Sequence, residues 1–312
     1  MKKEDSLDSK KNKRKSVIQF SIIIAVAIGL GVTGGIIVKK STSKEEIDYS
    51  DFDPELYKAD AKDLLRQYKA NPKKSFTPAE LVNIGLEQYR QCENSYSIGL
   101  GVASTIVEQT IRNAQFKNGN RYMEETISNS SYVHIANRVD QTNLDEGIKL
   151  YKGSASGAEK TNYSNAKLTE YTNSDYKNDW GKTLDEMFIY IISDKTVNAD
   201  KCTIDKSDGL IKVTLDLDVA ISSYYYKVQM KKISGLSGLP VFDYLVHTYT
   251  FDENMMLKHL YVDEKYVASM GPISGVSIHN TIDYYYHPNE YREIPSLEKL
   301  VDYSTEGEVK YE

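Results

Sequence analysis

Residues 17 to 38, VIQFSIIIAVAIGLGVTGGIIV, form an apolar run without one charged side chain. At 1.5 Å per residue a helix of this length extends about 33 Å, enough to cross a hydrocarbon core of about 30 Å. Lys10, Lys11, Lys13, Arg14 and Lys15 precede the run, and Lys39 and Lys40 follow it. The positive-inside rule therefore predicts a cytoplasmic N-terminus, with the chain after about residue 40 on the far side of the membrane. The run is longer than a signal-peptide core, and Lys-Lys rather than a small-residue cleavage site comes after it. An uncleaved single-pass signal anchor in the cell membrane is the expectation. Ala27, Gly31 and Gly35 fall four apart within it, a small-residue stripe that either lets a second helix come close, as in a homodimer, or reflects the general use of Gly and Ala in membrane helices.

Charge divides the chain in the same way. Residues 1–16 carry seven Lys/Arg against three Asp/Glu, a local +4, which leaves the remainder at −10 from a total of −6. An acidic main domain is poorly suited to phosphate backbones, so nucleic acid is set aside as a partner. With 40% apolar and 27% charged residues, the chain has the composition of a globular protein. Tyrosine is over-used, at 25 residues against 7 Phe and 1 Trp. Its ring packs while its hydroxyl stays wet, which suits half-buried strands.

These features divide the chain into a basic tail (1–16), a transmembrane helix (17–38), a polar stalk (39–53), an outer domain (54–293) and an acidic C-terminal tail (294–312). In the outer domain, Asp53-Pro54 reads as a helix start, with a partial stripe of Leu56, Leu64, Leu65 and Tyr68. Thr77-Pro78-Ala79-Glu80 is a capping box, followed by Val82, Leu86 and Tyr89 on one helical face.

Beyond Asn94 the period falls to two. Ile98, Leu100 and Val102 alternate with Gly99, Gly101 and Ala103, so one face of this strand is almost without side chains: either a covering helix or a ligand approaches it closely, or the glycines let the strand bend sharply. Asn118-Gly119 and Asp208-Gly209 are turn signals. Residues 153–180 read as loops with a short strand near Leu168, and Leu184, Met187, Phe188 and Ile191 recur at helical spacing. The strongest strand runs from Ile211 through Val213, Leu215, Leu217 and Val219 to Ile221. A short helix at 224–232, a meander at 244–263 and a last strand at 276–286 complete the domain. The fold class expected is α+β: a large curved antiparallel sheet of seven to nine strands, with helices packed on its concave face.

No catalytic motif is present. GxSxG, GxxxxGK[ST] and HExxH are absent; the GxGxxG spacing of Gly29, Gly31 and Gly34 falls inside the apolar run, and the SxxK spacings at Ser41, Ser164, Ser174 and Ser296 come without S-D-N or K-T-G companions, so the chain points away from an enzyme and no cofactor is implied. Asp216 and Asp218 share a strand face but read as solvated. Cys92 and Cys202 are either free thiols or a single disulfide, and they do not make a disulfide framework. A three-residue turn in the meander would put His247 opposite His259 with His279 nearby; no carboxylate or Cys is fixed beside them, and no metal site is assigned. The Tyr224–Tyr226 and Tyr284–Tyr286 runs are expected at the core edge, or at the rim of an apolar cavity.

The order of these elements, over roughly residues 75–290, resembles the LolA/LprG-like extracytoplasmic carriers. Those are membrane-associated half-barrels that hold lipid acyl chains between a bent sheet and its helices. No signature motif is shared, so no functional residue is carried across. The chain also lacks the lipoprotein cysteine, and a helix anchor would not release it from the membrane. Its Lys, Asn, Ile and Tyr bias is similar to that of uncharacterised membrane-anchored proteins of AT-rich Gram-positive bacteria.

The resemblance implies a tethered binding module for a lipid or other apolar ligand. Gly99, Gly101, Val213, Leu215, Leu217 and Val219 are the expected ligand-binding residues. The alternative is a cell-envelope structural or interaction protein with a filled core and a protein partner. An unfilled volume between sheet and helices separates the two.

Overall fold

The computed structural model describes residue 49 and residues 51–297, except 106–107, 131–133, 156–160, 235 and 271–272. The basic tail, the apolar run 17–38 and its Ala27, Gly31 and Gly35 lie outside the described residues. Among the described residues no helix is long and apolar enough to cross a membrane.

The chain begins with a 3-10 turn, Pro54–Tyr57, and helices α1 (Ala61–Ala70) and α2 (Pro78–Arg90). Six strands follow: β1 (Asn94–Ser104), β2 (Glu108–Asn118), β3 (Arg121–Asn129), β4 (His134–Gln141), β5 (Ile148–Ala155) and β6 (Thr161–Tyr171). Helix α3 (Asn173–Trp180) leads to β7 (Thr203–Ser207) and β8 (Leu210–Asp216), and α4 (Tyr224–Ser234) to β9 (Val241–Asp252), β10 (Leu257–Met270) and β11 (Ile273–Pro288). All eleven strands join one antiparallel sheet in the order β6-β5-β4-β3-β2-β1-β11-β10-β9-β8-β7. The fold is α+β, as the alternation of patterns predicts, with more strands than expected.

This order is two meanders joined at the centre. One runs outward from β1 to the edge strand β6, and the other runs inward from the opposite edge, β7, to β11. The chain must therefore travel from one edge of the sheet to the other between β6 and β7. Residues 172–202 make that journey, and they cover the sheet as they do so.

Several elements form where local chemistry dictates. The capping box at the start of α2 is complete: Glu80 N–H donates to Thr77 Oγ1 at 3.1 Å, and Thr77 N–H to the Glu80 carboxylate at 2.9 Å. Asp208 and Gly209 have φ of 52° and 73°, the left-handed pair that a tight hairpin turn requires. Asp53 caps only the 3-10 turn, and Asp60 starts α1 afresh, so the first expected helix is split in two.

Other expectations are corrected. The strand expected to reach Ile221 ends at Asp216, because the Asp218 carboxylate accepts Ala220 and Ile221 N–H and closes a turn. Residues 153–155 and 161–171, expected to be mostly loop, belong to β5 and β6. The start of the expected C-terminal tail is docked: Ile294 is buried and Leu297 packs beside it on the outer face, over Ile98, Phe116 and Met123. The last part of the expected stalk is docked too. Tyr49 donates its hydroxyl to Ala220 C=O at 2.7 Å, and its ring and that of Phe52 pack on Tyr224. Cys92 and Cys202 are free thiols.

Candidate functional site

Strand pairing lays residues of the inner face in rows across the sheet. One row passes through Asn137, Thr126, Asn113, Gly99, Tyr284, Leu260, Tyr249 and Val213. It is polar as far as Asn113 and apolar from Tyr284 onward. Gly99 sits at the changeover. Residues under the second half are covered by α2, whose Val82, Ile84 and Tyr89 share a core with Val213, Leu215, Leu217 and Phe251.

The middle of the inner face is not filled. A cavity of about 510 Å³ lies between β1, β2, β3, β10 and β11 on one side and residues 187–192 and α4 on the other. Its walls include Met187, Leu260, Val262, Ile278, Ile282 and Tyr286. This volume falls in the range of small-molecule sites, about 300–1,000 Å³.

The covering segment is the part that sequence periodicity misreads. Leu184, Met187, Phe188 and Ile191 keep helical spacing, yet only Leu184–Glu186 forms one 3-10 turn. Met187 then turns the chain with a φ of 55°, and residues 188–192 run over the sheet. Tertiary contacts hold them there. Phe188 meets the rings of Tyr89 and Tyr286, and Asn83 Nδ2 donates to Ile192 C=O at 2.9 Å.

The β2–β4 side of the wall is polar, with Gln109, Asn113, Thr126 and Asn137, and two clusters on the wall hold charged side chains. At one, Lys182 Nζ pairs with Glu124 at 2.5 Å, and Gln115 Nε2 donates to the same carboxylate at 2.7 Å. At the other, Glu264 is fully buried. Its Oε1 accepts Asn280 Nδ2 at 2.8 Å and the Tyr226 hydroxyl at 2.9 Å, whereas its Oε2 has, among the described residues, only the Tyr190 hydroxyl at 3.4 Å. Burial pushes the Glu264 carboxyl up to about 7, against these three hydrogen bonds, which favour the charged form. Asn280 lies directly opposite Glu264 in the β10–β11 ladder, and its Oδ1 is buried without a hydrogen-bond partner among the described residues.

The expected ligand-binding residues are dispersed. Gly99 and Gly101 are not among the wall residues, because the strand beside them fills their bare face. A Cβ at Gly99 would stand 2.6 Å from the Tyr284 ring, and one at Gly101 would stand 2.6 Å from Ile282 Cγ1. Tyr284 and Ile282 themselves face the cavity. Val213, Leu215 and Leu217 are buried in the filled core beneath α2, with Val219 packed at its margin. Of the tyrosine runs, Tyr226, Tyr284 and Tyr286 line the cavity.

Glu264 and Asn280 escaped notice as polar residues in polar-looking stretches. The signal was there. Val262, Glu264 and Tyr266 share one strand parity, as do Ile278, Asn280 and Ile282, so both polar residues hold inward-facing positions between apolar ones.

The histidines do not converge. A bulge after Leu257 shifts the ladder, so His259 pairs with Thr250 and His247 with Val262. His247 is enclosed on the inner face against the Tyr190 ring, while His259 and His279 contact Asp283 and Asp263. Among the described residues no group of three or more His, Cys, Asp or Glu could hold a metal ion. Asp216 bonds Lys201 and Asn198, and so takes no part in a carboxylate pair with the turn-forming Asp218.

No protein-family model matches this chain, and no curated protein matches it. A solved structure of an N-terminal dehydratase from the difficidin assembly line is similar at a TM-score of 0.13 and 10% identity, over 67% of this chain and 85% of that one. A score this low carries no argument about fold or function.

Proposed function

We propose that this protein is a membrane-anchored extracytoplasmic binding module whose curved sheet and covering segment cup a lipid or another apolar ligand on the concave face. The observation that carries this reading is the unfilled volume of about 510 Å³. At about 30 Å³ per water, this cavity would hold on the order of 17 waters against walls that are mainly aliphatic and aromatic. Such walls gain on the order of 25 cal/mol for each Å² they exchange from water to an apolar ligand. A packed scaffold for a protein partner has no use for this volume, which favours the binding module over an envelope interaction protein.

The apolar run 17–38 supplies the tether in this account, with the binding domain outside and ligand exchange confined to the membrane surface. The test is native mass spectrometry of the full-length chain recovered from membranes, followed by organic extraction. A bound apolar compound of defined mass is expected; a clean apo mass that does not change when membrane lipids are added would sink the proposal.

A further inference from the structure

Within an apolar cavity, the station at Glu264 and Asn280 is chemically one-sided. Both side chains are almost fully enclosed, at 0% and 2% exposure, and both face the cavity. Glu264 Oε1 is saturated by two donors. Its Oε2 has one long contact, from Tyr190 at 3.4 Å, and so keeps lone-pair capacity for a further donor. Asn280 Oδ1, fixed by the bond its own amide makes to Glu264, has no partner among the described residues. A buried acceptor left unpaired is costly, and native structures leave few of them so. Of two adjacent acceptors, one thus lacks a donor among the described residues and the other has only a long one, in a cavity whose lysine, Lys182, is already held by Glu124.

We infer that the apolar ligand carries a hydrogen-bond-donating head, an amine or an alcohol, that docks between Glu264 Oε2 and Asn280 Oδ1 with its chain along the aliphatic walls. This rests on the cavity being a ligand site, and adds which end of the ligand is recognised and by what. An ammonium head would satisfy both acceptors and neutralise the carboxylate. A hydroxyl would satisfy one acceptor and could turn to the other. An anionic head would set like charge against Glu264 and offer no donor, so free fatty acids and phosphate-headed chains are disfavoured at this station. The neighbours facing Glu264 are neutral phenols and an amide: Tyr190, Tyr226, Tyr266, Tyr284 and Asn280, with Asp263 the nearest like charge.

The test titrates decylamine, 1-decanol and decanoate separately into the full-length chain held in amphipol at pH 8, with binding read by native mass spectrometry. Decylamine and 1-decanol are expected to bind at least tenfold more tightly than decanoate. Glu264→Gln should weaken decylamine at least tenfold and narrow the gap to decanoate. Equal binding of all three probes by the wild-type chain would overturn the head-group assignment and leave the cavity reading standing. Binding of none of them would overturn both. The wild-type ranking needs no variant, so a Glu264→Gln chain that does not fold leaves the test decisive.

Discussion

The ring of Tyr284 on β11 lies across the backbone of Gly99 on β1, so close that a Cβ at Gly99 would meet it at 2.6 Å. The tyrosine hydroxyl, reaching over the glycine, accepts a 3.1 Å hydrogen bond from Asn113 Nδ2 on β2. Three strands are thereby tied at the central seam where the two meanders meet. Gly99→Val would force the ring off this bed and into the cavity. A loss of about 1–3 kcal/mol is expected, as for other overpacked sites, measured by denaturant unfolding, together with weaker uptake of apolar probes. Wild-type stability in Gly99→Val would show that the ring is free to lie elsewhere.

Two buried titratable groups on the inner face act on stability in opposite directions. Burial raises Glu264 to about 7, so the folded chain keeps a proton that the unfolded chain has given up. That contribution is complete below about pH 4.5 and is lost as pH rises to about 7. Burial lowers His247 to about 3, so the unfolded chain alone takes up a proton as pH falls below about 6.5, and stability falls with it. Between about pH 4.5 and 6.5 the two slopes oppose, each near 1.4 kcal/mol per pH unit. Glu264→Gln should unmask the histidine, so that the variant loses stability on acidification through this range while the wild type changes little. Parallel curves for the two chains would contradict the placement of either group.

The filled and unfilled parts of the inner face should answer substitution differently. Leu215 is buried beneath α2, away from the cavity walls. Leu215→Ala is expected to cost about 2–5 kcal/mol and to leave probe affinity nearly unchanged. The converse would place Leu215 in the ligand site after all.

Removing the start of α2 should weaken the fold without touching the cavity. Thr77→Ala deletes the acceptor for Glu80 N–H and the contact of the threonine hydroxyl with Asp194. A loss of about 1 kcal/mol is expected in thermal or denaturant unfolding. No change would mean that the helix start is held by packing alone.

The features legible in the sequence are those whose cause is local. The capping box at Thr77 and Glu80, the Asp208-Gly209 hairpin and the alternation from Ile211 to Leu215 each carry their own chemistry, and each forms as read. Strands β5 and β6 were hidden because β6 is an edge with few buried side chains, so no apolar alternation marks it. The segment after Leu184 departs from the helix its spacing predicts because its apolar residues serve a different end: Phe188 and Tyr190 reach Tyr286 and Glu264 from an irregular backbone. The bulge after Leu257 has no sequence signature, and it moved the histidine register. The cavity itself is a tertiary product of a chain crossing from edge to edge, and no single stretch of sequence encodes it.

The central claim is that an apolar ligand occupies the volume between sheet and covering segment, and one paired measurement addresses it. Ala268 is a small, nearly buried wall residue, so Ala268→Phe would fill part of the space. Full-length wild-type chain and Ala268→Phe, recovered from the same membranes, would be compared by native mass spectrometry and organic extraction. The account predicts a bound apolar compound on the wild type that is absent or sharply reduced on a folded Ala268→Phe chain. An apo wild-type chain, or a compound retained equally by both, would contradict it.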